Sequence, residues 1–145
     1  MSKRLGLGTA LLLGLSVLAN GLFMLILPSG WYLAVPGVTT AGSFNQQFIR
    51  DIGLIFLFVA DAFIVGVTRP AYRIPLWTAA SLYLAGHALF DFWAVATGIY
   101  APSVLLGDFP VFTLPAAIGG ALSLWAMRER RRLRVSPLEA AREPR

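Results

Sequence analysis

The chain contains no cysteine, which excludes disulfides, thiolate metal sites, iron–sulfur clusters and cysteine nucleophiles. It contains a single histidine, His87. One imidazole is too few for a bis-histidine haem or a histidine-rich metal site within one subunit, so no metal site is expected. Charge is scarce as well. Asp, Glu, Lys and Arg make up 13% of the 145 residues, against the roughly one quarter that keeps the surface of a soluble domain wet. Glycine-rich phosphate loops, nucleophile–base pairs and paired-carboxylate signatures do not stand out. What the sequence has instead is apolar: 57% of residues are hydrophobic, the mean hydropathy is +0.72, and these residues come in long blocks that suit a bilayer as solvent.

Four such blocks occur, at about 5–27, 48–67, 76–97 and 110–127, the last preceded by a partly buried segment at 102–109. Each is close to the ~20 residues that cross a ~30 Å hydrocarbon layer at 1.5 Å per residue. The expected fold is therefore all-α: a four-transmembrane-helix bundle at 1–127, followed by a basic cytoplasmic tail at 128–145. Pro28, Arg69-Pro70 and the Pro/Gly content of the connections supply the punctuation. A signal peptide is the competing reading of the N-terminus, with Ser2-Lys3-Arg4 as its basic region and Val17-Leu18-Ala19 as a cleavage site. The apolar run continues through Leu27, beyond the usual span of about 7–15 residues, so an uncleaved first helix is expected.

Orientation follows from the basic residues. Lys3, Arg4, Arg69, Arg73 and the seven arginines of the tail flank one set of helix ends; Arg50 alone lies near the other. The positive-inside rule then puts both termini in the cytoplasm. Eleven arginines against one lysine hint at a GC-rich bacterial genome, and the expected location is multi-pass in a bacterial cytoplasmic (inner) membrane. Trp31, Tyr32, Trp93 and Tyr100 fall near the outer interface and Tyr72, Trp77 and Trp125 near the inner one, as an aromatic belt would.

Small residues predict where helices approach closely: Gly6, Ala10 and Gly14 on the first; Ala79, Ala80, Ala85, Gly86 and Ala88 on the third; Gly119, Gly120 and Ser123 on the fourth. Pro115 should kink the fourth helix or free a carbonyl one turn earlier. The 28–47 connection is long for a bundle, where about 2–8 residues is usual. Its apolar content suggests that it folds back over the outer mouth, as a lid or as a structural cap.

Ionisable groups within spans are costly and normally face the bundle interior with partners. Asp61 on the second helix, His87 and Asp91 on the third, and Arg50-Asp51 at the start of the second are the candidates, with the amide of Asn20 on the first. Tyr83, His87 and Asp91 are spaced i, i+4, i+8 and share a face. These seven residues are the candidates for a polar pocket opening outward, lined by the first three helices. A His–Asp pair at this spacing can serve as a general acid or base with an orienting carboxylate, or as a proton relay. A metal held by His87, Asp91 and Asp61 matches transition-metal chemistry poorly. The structural alternative is a self-satisfied network fixing helix register, with Arg50 neutralising Asp51 or Asp91.

The run Arg128-Glu129-Arg130-Arg131-Arg132-Leu133-Arg134 reads as a stop-transfer anchor against anionic headgroups, each arginine contributing about 1 kcal/mol near the surface. Tethered in this way, it is not expected to bind nucleic acid. Ser136-Pro137-Leu138-Glu139 resembles a new helix start with a capping box.

The hairpin of first helix, outer connection and second helix opening with Arg50-Asp51-Ile52-Gly53 resembles the DoxX-like group of small four-helix bacterial membrane proteins. The resemblance covers about the first two-thirds of the chain and rests on Arg50 and Gly53. It implies a four-helix bundle and an accessory role beside quinone-linked oxidoreductases, without a catalytic residue. Three readings of function remain. The first is an accessory or ligand-binding subunit of a larger membrane system, with a membrane-protein partner or further copies and a lipid-soluble small molecule in its pocket. The second is a membrane enzyme or quinone-linked redox component moving protons through His87 and nearby carboxylates. The third is a small oligomeric transporter.

Overall fold

The computed structural model describes residues 2–140. All regular structure among them is helical, and four helices are long and apolar enough to cross a membrane. Helix α1 spans Lys3–Ile26; Ser2 caps it by accepting the Leu5 amide at 3.3 Å, and Pro28 follows its end. Two short helices, α2 (Pro28–Ala34) and α3 (Val38–Ala41), form the first connection. Helix α4 (Gln46–Thr68) starts at Asn45, whose side chain accepts the Phe48 amide at 3.0 Å, and stops before Arg69-Pro70. Helix α5 spans Arg73–Ala96, with Pro75 in its first turn, where the missing N–H costs nothing. The short α6 (Ser103–Asp108) leads through a wide π turn at Phe109–Thr113 into α7 (Leu114–Ala140).

The π turn has a local cause. Pro115 cannot donate to the carbonyl of Val111 one turn earlier, and its ring would clash there. A wider turn relieves both problems. The consequence of the expected kink is thus positional: it turns Phe112 inward, where it is buried. Downstream, the segment read as a fresh helix start at Ser136 is instead the last turn of α7. The intervening Arg, Glu and Leu residues are good helix formers and continue an existing helix more cheaply than a new one nucleates.

The long helices pack in the order α1, α4, α5, α7, and α7 closes onto α1. Only about a third of each span is buried inside the protein, while Leu12, Phe58, Leu82 and Leu89 are each about 70% exposed. An apolar shell of this extent has no place in water and fits a hydrocarbon surround. Inside lies a core of Met24, Phe56, Phe63, Trp77, Leu84 and Leu122.

Close backbone approach between α1 and α4 depends on glycine. A Cβ on Gly21 would stand 3.0 Å from the carbonyl oxygen of Gly53, and one on Gly53 would stand 3.1 Å from that of Gly21. The first helix does use Gly6, Ala10 and Gly14 for its buried face, yet the tightest reciprocal contact lies further along at Gly21. By contrast Gly86 and Gly120 meet nothing within 4 Å, and Ala79 is exposed. These three face away from the neighbouring helices.

The two ends of the bundle differ. At the basic end, next to the 69–72 turn, the Arg73 guanidinium is buried. Its Nε donates to the carbonyl of Gly66 at 2.8 Å and an Nη to that of Val67 at 3.3 Å, satisfying the last carbonyls of α4. It also lies 3.8 Å from Glu129 of α7 and 5.5 Å above the Trp77 ring. Trp77 is not a belt residue. It is fully buried, donates from Nε1 to the Phe63 carbonyl at 3.0 Å, stacks on Trp125, and fills the space where Gly66 would carry a Cβ. Arg73 and Trp77 thus tie α4, α5 and α7 together.

Candidate functional site

At the opposite end, α2 and α3 fold back over the mouth of the bundle. One hydrogen bond fastens this cover to the bundle, Trp31 Nε1 donating to Asn20 Oδ1 on α1 at 2.9 Å, and one holds the cover together, the Tyr32 hydroxyl donating to the Gly42 carbonyl at 2.7 Å. The Tyr32 ring also meets Phe44 edge to face. Beneath the cover lies a cavity of about 260 Å³. Trp31, Tyr32, Val38, Ser43 and Asn45 roof it; Met24, Phe48, Ile49, Ile52 and Phe56 from α1 and α4 form one wall; His87, Phe90 and Asp91 of α5, with Tyr100, Val104 and Phe112, form the other.

The polar pair of the cavity comes from one face of α5. Asp91 is 4% exposed, and its Oδ1 lies 3.8 Å from His87 Nε2, one turn away. The other carboxylate oxygen, Oδ2, is buried and has no hydrogen-bond partner among the described residues. Buried polar atoms are nearly always paired, because leaving one unpaired costs about 1–3 kcal/mol. The imidazole is held flat against Phe112, with ring centroids 3.7 Å apart and planes 15° from parallel, and Phe112 in turn meets Phe56 edge to face at 5.5 Å. His87 therefore has a fixed orientation set by the π turn of the last span. The cavity has aromatic and aliphatic walls, one imidazole, and one carboxyl group of which one oxygen is unpartnered among the described residues.

The remaining candidates lie elsewhere. Tyr83 packs against His87 at 6.4 Å between ring centroids but does not line the cavity. Asn20 is used in fastening the cover, and its amide also approaches the Met24 sulfur at 3.9 Å. Arg50 pairs with neither Asp51 nor Asp91: it donates from Nε to the carbonyl of Leu25 at 3.2 Å, answering an orphan acceptor at the end of α1. Asp51 and Asp61 are both exposed on α4. No group of three or more His, Asp or Glu side chains among the described residues could hold a metal ion.

Phe112 and Asn45 are cavity residues that sequence patterning does not single out, and Tyr100 is expected from it only as part of the outer aromatic belt. The paired prolines at 110 and 115 are the one signal that could have drawn attention to Phe112 between them. Comparison of the chain with family models, with curated proteins and with solved structures finds no match. The site must speak for itself. Arg50 and Gly53, near the start of α4, both fasten that helix onto α1.

Proposed function

We propose that the protein binds a small, largely apolar molecule carrying a hydrogen-bond donor, and does so as a ligand-binding or accessory subunit of a larger membrane system. The observation that carries this reading is Asp91, a buried residue that lines an aromatic-walled cavity and whose Oδ2 has no hydrogen-bond partner among the described residues. A donor on the ligand would satisfy that oxygen, and the rings of Trp31, Phe56 and Phe112 would take its apolar body. The volume of about 260 Å³ exceeds the ~150 Å³ of an apolar cavity that admits benzene, so a one- or two-ring compound is the right size.

Among the described residues, nine of the ten Lys and Arg residues flank the helix ends remote from the cavity. This supports a bacterial inner-membrane orientation with both termini cytoplasmic and the cavity near the outer surface. A molecule dissolved in the outer leaflet could then reach the site without crossing the bilayer. The DoxX-like resemblance at Arg50 and Gly53 supports the same accessory role.

The test is a comparison of 1-naphthol with naphthalene, binding to the purified protein in lipid nanodiscs being read from quenching of tryptophan fluorescence. We expect 1-naphthol to bind at least about tenfold more tightly, the discrimination a hydrogen bond to a charged acceptor provides. Asp91→Leu should erase the preference. Equal binding of the two compounds to the natural protein would sink the reading.

A second reading has one specific observation in its favour: the 3.8 Å separation of His87 Nε2 and Asp91 Oδ1 suits a dyad that moves a proton to or from the bound molecule. Alanine at His87 in cells, with protein abundance measured alongside the phenotype, separates the two. Activity lost at normal abundance and with ligand still bound favours proton transfer.

A further inference from the structure

Helix α1 meets α7 far more sparingly than it meets α4. Between α1 and α7, at the basic end, lies a second cleft of about 510 Å³ that shares no residue with the capped cavity. The level of the membrane boundary can be read from Arg73, which starts α5 and lies 3.8 Å from Glu129. Arg128, next to Glu129 in sequence, therefore stands where the apolar part of the last span ends. Arg132 lies about 6 Å further toward water, at 1.5 Å per residue. Ile118, Ala121 and Trp125 line the cleft in the opposite direction, the first of them about 15 Å from Arg128 and so within hydrocarbon.

The charges of this cleft are not balanced within the protein. Its one carboxylate, Glu129, has the buried Arg73 as its counter-charge. Arg128 and Arg132 are one helical turn apart on one face, and among the described residues no hydrogen bond or ion pair engages either. Thr9 of α1 adds a hydroxyl to the lining. The arginines between them serve another side: Arg130 and Arg131 line a separate groove with Ile74 of α5 and Met127. The basic run after the last span is thus divided between two surfaces, and one of them is a cleft with a cationic end and an apolar depth.

We propose that this cleft binds one anionic phospholipid from the leaflet at the basic end. The phosphate lies between Arg128 and Arg132, whose forked donors suit its oxygens, with the Thr9 hydroxyl as a further donor from α1. An acyl chain follows Ile118, Ala121 and Trp125 into the bilayer. The lipid fills the seam that protein packing leaves open and joins α1 to α7. Basic pockets between spans at the headgroup level are suited to anionic lipids. A zwitterionic lipid brings an ammonium group toward two guanidinium groups, and a free phosphate has no use for the apolar depth. Charge and the two-part lining together single out the anionic lipid.

The test is native mass spectrometry of the full chain in detergent, titrated with phosphatidylglycerol, with phosphatidylcholine of the same acyl chains, and with glycerol 3-phosphate. One phosphatidylglycerol per chain should be retained, about tenfold more tightly than phosphatidylcholine. Arg128→Gln combined with Arg132→Gln should weaken its binding at least about tenfold. Arg130→Gln combined with Arg131→Gln removes the same charge from neighbouring positions and should stay within about threefold of the natural protein. Ala121→Phe, at an exposed position lining the apolar depth, should weaken lipid binding with no change of charge. All four arginines are exposed, and an unchanged unfolding midpoint in lipid-free detergent serves as the folding control. Equal losses from the two double substitutions would mean diffuse attraction by the whole basic run and would overturn the proposal. So would equal retention of the two lipids, glycerol 3-phosphate binding as tightly as phosphatidylglycerol, or an Ala121→Phe protein that binds lipid undiminished.

Discussion

Among the described residues two charged side chains are buried, one at each end of the bundle, and they are treated in opposite ways. Arg73, 7% exposed, has hydrogen bonds to two carbonyls, a carboxylate 3.8 Å away and an aromatic ring beneath it. Asp91, 4% exposed, has an imidazole 3.8 Å away for one oxygen and nothing among the described residues for the other. At the basic end the surroundings close on the charge with Trp77 and Gly66; at the capped end they open into a cavity. A fully satisfied buried charge is architecture, because its removal strands its partners. A buried carboxylate that lines a cavity and keeps one oxygen free of protein partners can take a donor from a ligand at little cost to the fold. The contrast separates the part of the protein that holds helices together from the part available for binding.

The largest effect that would break this contrast is expected at the basic end. Gly66→Leu places a side chain where the Trp77 indole already lies, and neither can move without opening the α4–α5 contact. We expect a loss of more than about 4 kcal/mol, seen as failure to recover monodisperse protein in mild detergent. Next comes Arg73→Ala, which leaves the Gly66 and Val67 carbonyls and Glu129 without their donor. A loss of about 2–4 kcal/mol is expected in reversible unfolding by SDS, with naphthol binding by any folded fraction unchanged.

At the capped end the sign should reverse. Asp91→Leu removes an unpaired buried oxygen, keeps the branched outline with room beside the cavity for the larger methyl groups, and should leave stability unchanged or raise it by about 1 kcal/mol, while donor-dependent binding disappears. A destabilisation as large as that of Arg73→Ala would mean that Asp91 is architectural too, and the distinction between the ends would fall. The smallest effect is that of Trp31→Phe. It forfeits the 2.9 Å hydrogen bond to Asn20 but keeps an aromatic ring over the cavity, for a cost of about 1 kcal/mol and faster exchange of bound naphthol. Hydrogen exchange in residues 28–45 would register the loosened cover even if global stability did not change.

How much of this could be read from residues alone differs from place to place. The spacing of His87 and Asp91 is enough to put them on one face of a helix, and the apolar stretch 28–38 after Leu27 is enough to suggest a cover. The inward turn of Phe112 is not legible, since it depends on how the backbone accommodates Pro115. Nor is the role of Arg73, which looks like an ordinary loop arginine until α7 brings Glu129 beside it. Asp61 and Asp91 look alike in the sequence, each a lone carboxylate within an apolar run, yet one is exposed and the other buried. In water, hydrophobic periodicity would tell the two faces of a helix apart. In lipid both faces are apolar, and that signal is largely lost.

The sequence by itself determined the four long apolar helices, roughly where the first three begin and stop, and the gathering of positive charge at one set of ends. These follow from local chemistry: run length, capping side chains and proline, none of which needs a neighbour. Only the tertiary structure decided which carboxylate is enclosed and which faces outward, which glycines touch backbone, and where a cavity remains. Those outcomes depend on the rotation of each helix about its own axis, and that rotation is fixed by contacts between helices, such as Gly21 with Gly53 and Trp77 with Gly66.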